Sequence, residues 1–99
     1  FYLTVAELVE RGPTREGESV RVSGRLVSDS FVREDGSTIA RFELTDGVKT
    51  VSASHDGVIP DLFFNEHSEI ILEGLYDSDG TFRSYHVTVK CPSKYMSSG

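Results

Sequence analysis

The feature that most constrains the fold is a change of hydrophobic period at Ser19. Before it, Val5, Leu8 and Val9 share one helical face; after it, the period is two. Val20, Val22, Gly24 and Leu26 alternate with Arg21, Ser23 and Arg25, the pattern of a half-buried strand. The same alternation returns at Ala40, Phe42 and Leu44 against Arg41, Glu43 and Thr45. Further strands are expected over Val48 to Ala53, Glu69 to Tyr76 and Thr81 to Lys90. Asp35-Gly36, Asp46-Gly47 and Asp77-Ser78-Asp79-Gly80 supply the turns. The early helix opens on Thr4 and Glu7 at capping-box spacing and stops at Gly12-Pro13.

Pro60 argues against a central strand over Gly57 to Phe64. That segment reads as a connection with a short helical turn at Asp61 to Phe64. Five strands, a break between the third and fourth, and no βαβ alternation predict an all-β fold. The best fit is a five-stranded OB-type Greek-key barrel with a short N-terminal helix and a flexible C-terminal tail; a small sandwich is the runner-up. Gly24 and Gly74 stand inside strands, where a closing sheet bends sharply. Residues 1–95 are expected to form one domain, and 96–99, Met-Ser-Ser-Gly, a disordered tail.

The chain has 99 residues, enough for one core. Its net charge of −6, from 16 acidic and 10 basic residues, opposes a phosphate-backbone binder. Catalysis finds little support, since no Ser, His and Asp fall into a recognisable arrangement. His55, His67 and His86 lack the spacing of a metal site. His86 shares an outward row with Thr88 and Lys90, as a surface histidine would.

The segment Lys90-Cys91-Pro92-Ser93-Lys94-Tyr95 carries the most chemistry. Along the last strand Tyr85, Val87 and Val89 form the expected inward row, with Cys91, the only cysteine, next in phase. A buried thiol is one reading. The other follows from Pro92, which ends the pairing and leaves Cys91 at the barrel rim between Lys90 and Lys94, whose charge favours the thiolate. If Pro92 begins a helical turn, the four residues to Tyr95 rise only about 6 Å instead of roughly 13 Å. A thiolate and a phenol can then face one large flat ligand, and both are known ligands of haem iron.

The chain resembles the family of cytochrome c maturation protein E, the periplasmic haem chaperones. The likeness runs from Tyr2 to Tyr95. It includes the helix start Thr4 to Leu8, Val20-Arg21-Val22-Ser23-Gly24, Phe42 to Gly47, Gly57-Val58-Ile59-Pro60-Asp61-Leu62-Phe63, Glu73-Gly74 and the closing Lys90-Cys91…Tyr95. The family's common form attaches haem through the histidine of a His-x-x-x-Tyr motif. Here Cys91 holds that position, so the chain resembles the Cys-x-x-x-Tyr branch.

The resemblance implies an OB-fold carrier rather than an enzyme, expected to be a monomer. It would take b-type haem as cargo from the maturation membrane complex and pass it to the ligation machinery, which attaches it to apocytochrome c. It implies the periplasmic face of the bacterial inner membrane and a single N-terminal anchor helix, absent from a chain that opens on Phe1. Cys91 would hold haem covalently through a vinyl group, or alternatively ligate the iron, with Tyr95 as axial ligand. Lys90, Lys94 and Arg83 are candidate propionate contacts. The competing readings are an OB-fold module for protein partners and a binder of single-stranded nucleic acid through stacked aromatics.

Overall fold

Thr4 caps the only α-helix among the described residues, α1 (Val5–Arg11). Its Oγ1 accepts from the Glu7 N–H at 3.1 Å, and the Glu7 Oε1 accepts from the Thr4 N–H at 2.9 Å. This reciprocal bonding is the expected capping box. Val5 and Leu8 are buried, whereas Val9 is partly exposed, so the apolar stripe is narrower than the sequence suggests. The computed structural model describes residues 2–33 and 35–90.

The strands are β1 (Leu3–Thr4), β2 (Val20–Leu26), β3 (Val32–Arg33), β4 (Ile39–Thr45), β5 (Thr50–Asp56), β6 (Glu69–Tyr76) and β7 (Thr81–Lys90). Between β5 and β6 lies a 3-10 turn, η1 (Asp61–Phe64), where the sequence placed a helical turn. The sheet order is β1-β2-β6-β7-β5-β4-β3, and an added β2–β4 pairing closes it on itself. Five strands thus form the barrel, in the order β2-β4-β5-β7-β6, with β5 and β7 parallel. This is the OB arrangement, and the β2–β4 and β5–β7 closures exclude a two-sheet sandwich. β1 and β3 are short additions at its margins.

Closure needs close backbone approach at one residue above all. A Cβ at Gly74 would lie 2.1 Å from the Arg83 carbonyl oxygen, a separation no side chain tolerates. There the β6–β7 register shifts: Gly74 pairs with Ser84, but Glu73 pairs with His86. Tyr85 is the unpaired residue of this β-bulge, which bends the sheet.

The bulge overturns one sequence expectation. Phe82 and Ser84 point inward before it, Val87 and Val89 after it, and Tyr85 is 58% exposed rather than part of the inward row. A simple count of alternating positions carries no term for an inserted residue. The third barrel strand also starts later and ends later than the sequence suggests. Asp46 holds Val48 and Lys49 in the turn, its Oδ1 accepting both N–H groups at 2.8 Å. Pairing therefore begins at Thr50 and runs to Asp56.

The core gathers Val5 and Leu8 of α1, the inward rows of β2, β4, β5 and β6, Phe82, and Phe63 from η1. α1 thereby packs on the barrel, with the Ala6 N–H donating to Asp46 Oδ2 at 2.8 Å.

Candidate functional site

Because β5 and β7 run parallel, their C-terminal ends lie at one pole of the barrel. β5 leads there into Gly57–Pro60 and η1, and β7 leads there to Lys90. η1 is a tight i to i+3 turn, with the Phe63 N–H donating to the Pro60 carbonyl at 3.0 Å. Consecutive side chains therefore diverge. Phe63 is fully buried, and Phe64 is 50% exposed.

Phe31, half-buried on the connection before β3, meets Phe64 edge-on at 4.8 Å between ring centroids. Below them, Phe63 packs edge-on against Phe42 at 4.9 Å. The upper rings are thus held by a buried aromatic base. Val58 and Leu62 are also exposed on this connection, and Val32 and Ile39 share a shallow groove on β3 and β4. A cation borders the aromatic surface. The Arg33 guanidinium donates to the Gly57 carbonyl at 2.8 Å and lies 6.0 Å from the Phe31 ring centroid, within cation–π range.

Of the site residues expected from sequence, Cys91, Lys94 and Tyr95 lie outside the described residues, as do 96–99. Lys90 is the last residue of β7. Its Nζ donates to the Tyr2 hydroxyl at 2.8 Å and stands 5.2 Å from that ring's centroid. That hydrogen bond, with Glu69 nearby, raises the Lys90 pKa above the ordinary lysine value. Its side chain thus lies in an outer groove of about 230 Å³, lined also by Arg21, Ile71, Glu73, His86 and Thr88.

Arg83 is farther away. It lies beside the β6–β7 turn, where its guanidinium bonds Asp77 at 2.7 Å and Asp79 at 3.2 Å. The Asp77 hydrogen bond raises its pKa and lowers that of Asp77. Seven residues of extended strand, about 23 Å, separate it from Lys90. The structure therefore does not bring Arg83 and Lys90 together.

Sequence reasoning missed Phe31, Phe64 and Arg33 as a group. The Phe63-Phe64 doublet in a short turn was a usable signal, since neighbours in such a turn cannot share one face. Nothing local marks Phe31 or Arg33, which reach the pole only through the β3–β4 pairing.

The histidines have separate settings. His55 is 6% exposed, with Nδ1 3.1 Å from Ser84 Oγ and 3.2 Å from the Ser84 carbonyl, and so ties β5 to β7. His67 Nε2 lies 3.6 Å from a Glu66 carboxylate oxygen. His86 is exposed on the outer row, as expected. Among the described residues no three His, Cys, Asp or Glu side chains group as metal ligands.

The β4–β5 face, which OB barrels commonly use for oligomeric ligands, carries a groove of about 470 Å³ lined by Arg41, Glu43, Ser52, Ser54, Asp79 and Arg83, among others. Phe42 also lines it but is buried, so the groove is polar and mixed in charge.

Comparison with known proteins agrees with this architecture. The OB-fold domain of the heme chaperone CcmE from Desulfovibrio vulgaris superposes with a TM-score of 0.62 at 32% identity, covering 81% of this chain and 94% of that one. Yeast Stn1 and Ten1 match with a TM-score of 0.59 at 18% identity, over 78% of this chain and 45% of that one, a likeness of fold alone. The cytochrome c-type biogenesis protein CcmE of Methylococcus capsulatus is 37% identical over 97% of this chain, and that of Sphingopyxis alaskensis 40% identical over 97%. The chain spans 62% and 65% of the length of these two relatives. The family model of the CcmE domain matches residues 1–98, and the chain belongs to the CcmE family.

Proposed function

We propose that this chain is the haem-holding domain of a chaperone for c-type cytochrome biogenesis, with Cys91 as the covalent attachment point and Tyr95 as iron ligand. The carrying observation is the half-exposed Phe31–Phe64 surface, bordered by Arg33, at the pole where β7 leads the chain to Cys91. A porphyrin is a broad apolar disc with an anionic rim. A flat aromatic rest beside a guanidinium suits both parts.

In this reading Phe31, Phe64 and Leu62 cover one face of the macrocycle, and Arg33 meets a propionate. Lys94 remains a propionate candidate. Lys90 stays with Tyr2 and acts on the Cys91 thiolate through its charge. The Cys91 thiol adds across a vinyl group: sulfur bonds one vinyl carbon, and the thiol hydrogen passes to the other. No oxidant is consumed.

The domain holds cargo and turns nothing over. Its b-type haem comes from the maturation membrane complex and goes by way of the ligation machinery to apocytochrome c. The setting is the periplasmic face of the inner membrane, with a monomeric domain, residues 1–95, borne on an N-terminal anchor.

The test is absorption spectroscopy and intact mass after incubation with ferric haem. The expected result is a Soret shift and a mass increase of one haem. Cys91→Ala keeps the shift and loses acid-acetone-resistant haem, and Tyr95→Phe moves the Soret maximum. A protein showing no Soret shift overturns the reading.

A further inference from the structure

We propose that the outer edge of β7, from Tyr85 to Lys90, is a docking strand for an extended segment of the polypeptide that receives the haem. This rests on the haem-carrier reading above, and it assigns a different surface, made of backbone.

β7 pairs with β6 from Phe82 to Lys90, but on its other side β5 pairs only with Thr81 to Ser84. Beyond Ser84 the β5 chain has left the sheet: Asp56 ends it, and the Gly57 N–H turns to donate to the Thr38 carbonyl at 3.0 Å. No backbone bond from a turn, loop or cap reaches Tyr85–Lys90 among the described residues. One local bond does: the His86 carbonyl accepts from the Ser84 hydroxyl at 3.2 Å.

Along a strand, alternate residues direct N–H and C=O to opposite sides. About half the peptide groups of this stretch therefore face away from β6. None of residues 81–90 is proline, so each carries a donor. Tyr85, His86, Thr88 and Lys90 are exposed, and the inward Val87 and Val89 are only half-buried, which leaves the edge open.

An unpaired edge is a template for another strand, and proteins normally cover or charge one they do not use. The matching ligand is extended backbone. Two observations favour an acceptor polypeptide over other strands. The edge ends one residue short of Cys91, so a strand laid along it brings its own side chains beside the attachment point. The receiving chemistry is a pair of cysteine thiols in an unfolded segment. Charge points the same way: Asp56 stands where the edge opens on a domain of net charge −6, which suits a basic segment. Val87 and Val89 would meet its apolar positions.

The experiment uses isotope-labelled, haem-free protein of the full chain. The probe is a synthetic segment of apocytochrome c spanning its haem-attachment cysteines, with the thiols alkylated. It is made in two forms, N-methylated at alternate residues in one phase or the other. The expected result is amide shifts confined to Tyr85–Lys90, lost with one N-methylated form and kept with the other. Absence of shifts, shifts centred on another face, or equal response to both forms overturns the proposal. So does a shift of the same amides on concentrating the protein alone, which would mark a second copy as occupant, or their protection by residues 91–99, read from a chain ending at Lys90. A Soret assay on the same sample separates the two readings. Haem binding without edge shifts sinks only the docking strand, and edge shifts without haem binding sink only the carrier.

Discussion

The Lys90 ammonium donates to the Tyr2 hydroxyl at 2.8 Å, joining the beginning of the described chain to the last residue of β7. The contact fixes the strand end that precedes Cys91. Tyr2→Phe keeps the ring beneath the cation and removes the hydrogen bond. The expected outcome is a fall of the Lys90 pKa toward its ordinary value, measured by NMR titration of the side-chain nitrogen. The sign for stability follows. A folded pKa above the unfolded one favours the protonated state, so the contribution is whole at neutral pH. It fades as pH climbs beyond the ordinary lysine range through the raised value.

Acid should loosen the junction of α1 with the β4–β5 turn. Asp46 accepts the N–H groups of Lys49, Ala6 and Val48, which hold its pKa below the ordinary carboxylate value. A depressed folded pKa stabilises above the unfolded value of ~4 and is lost as pH falls through the folded one. Asp46→Ala is expected to lower the urea midpoint at pH 7 and to flatten the decline toward pH 3. An unchanged pH slope would count against Asp46 as its source.

Gly74→Ala places a methyl group 2.1 Å from the Arg83 carbonyl oxygen, against backbone that cannot yield. The expected cost is about 3 kcal/mol, at the upper end of ordinary overpacking, read from chemical denaturation. Phe63→Ala, in contrast, opens a cavity beneath the aromatic pole and should cost about 3–5 kcal/mol.

Phe64→Ser removes half-exposed surface and should leave the denaturation midpoint nearly unchanged. Haem binding is expected to weaken by about 1.5 kcal/mol, roughly tenfold. Arg33→Glu should weaken it further by setting a carboxylate against the propionates. Both are measured by Soret titration in the Cys91→Ala background, where binding is reversible.

Legibility in the sequence followed the range of the physics involved. The bounds of η1, β6 and β7 and the Thr4 cap could be read because local patterning and capping decide them. Tyr85 was misplaced because its direction depends on a bulge, and that bulge arises from Gly74 approaching a neighbouring strand. Arg83 was a fair cation by composition, but the turn carboxylates that engage it reach it only once the hairpin has formed. The pole was invisible for a related reason. Phe31, Arg33 and Phe64 come from two connections that meet only after β3 has paired with β4. Cys91 and Tyr95 could be singled out from sequence because their argument needs just four residues of chain.

The parallel seam between β5 and β7 also sets the order in which this molecule assembles. The β4–β5 and β6–β7 hairpins join neighbours along the chain and can zip from their turns. His55 must find Ser84 across 29 positions, and only then is the barrel shut. Encounters of that span are entropically costly and slow two-state folding. The last event of refolding is therefore expected to be the docking of two preformed ribbons, with the amides of Ser52 to His55 the latest to gain protection.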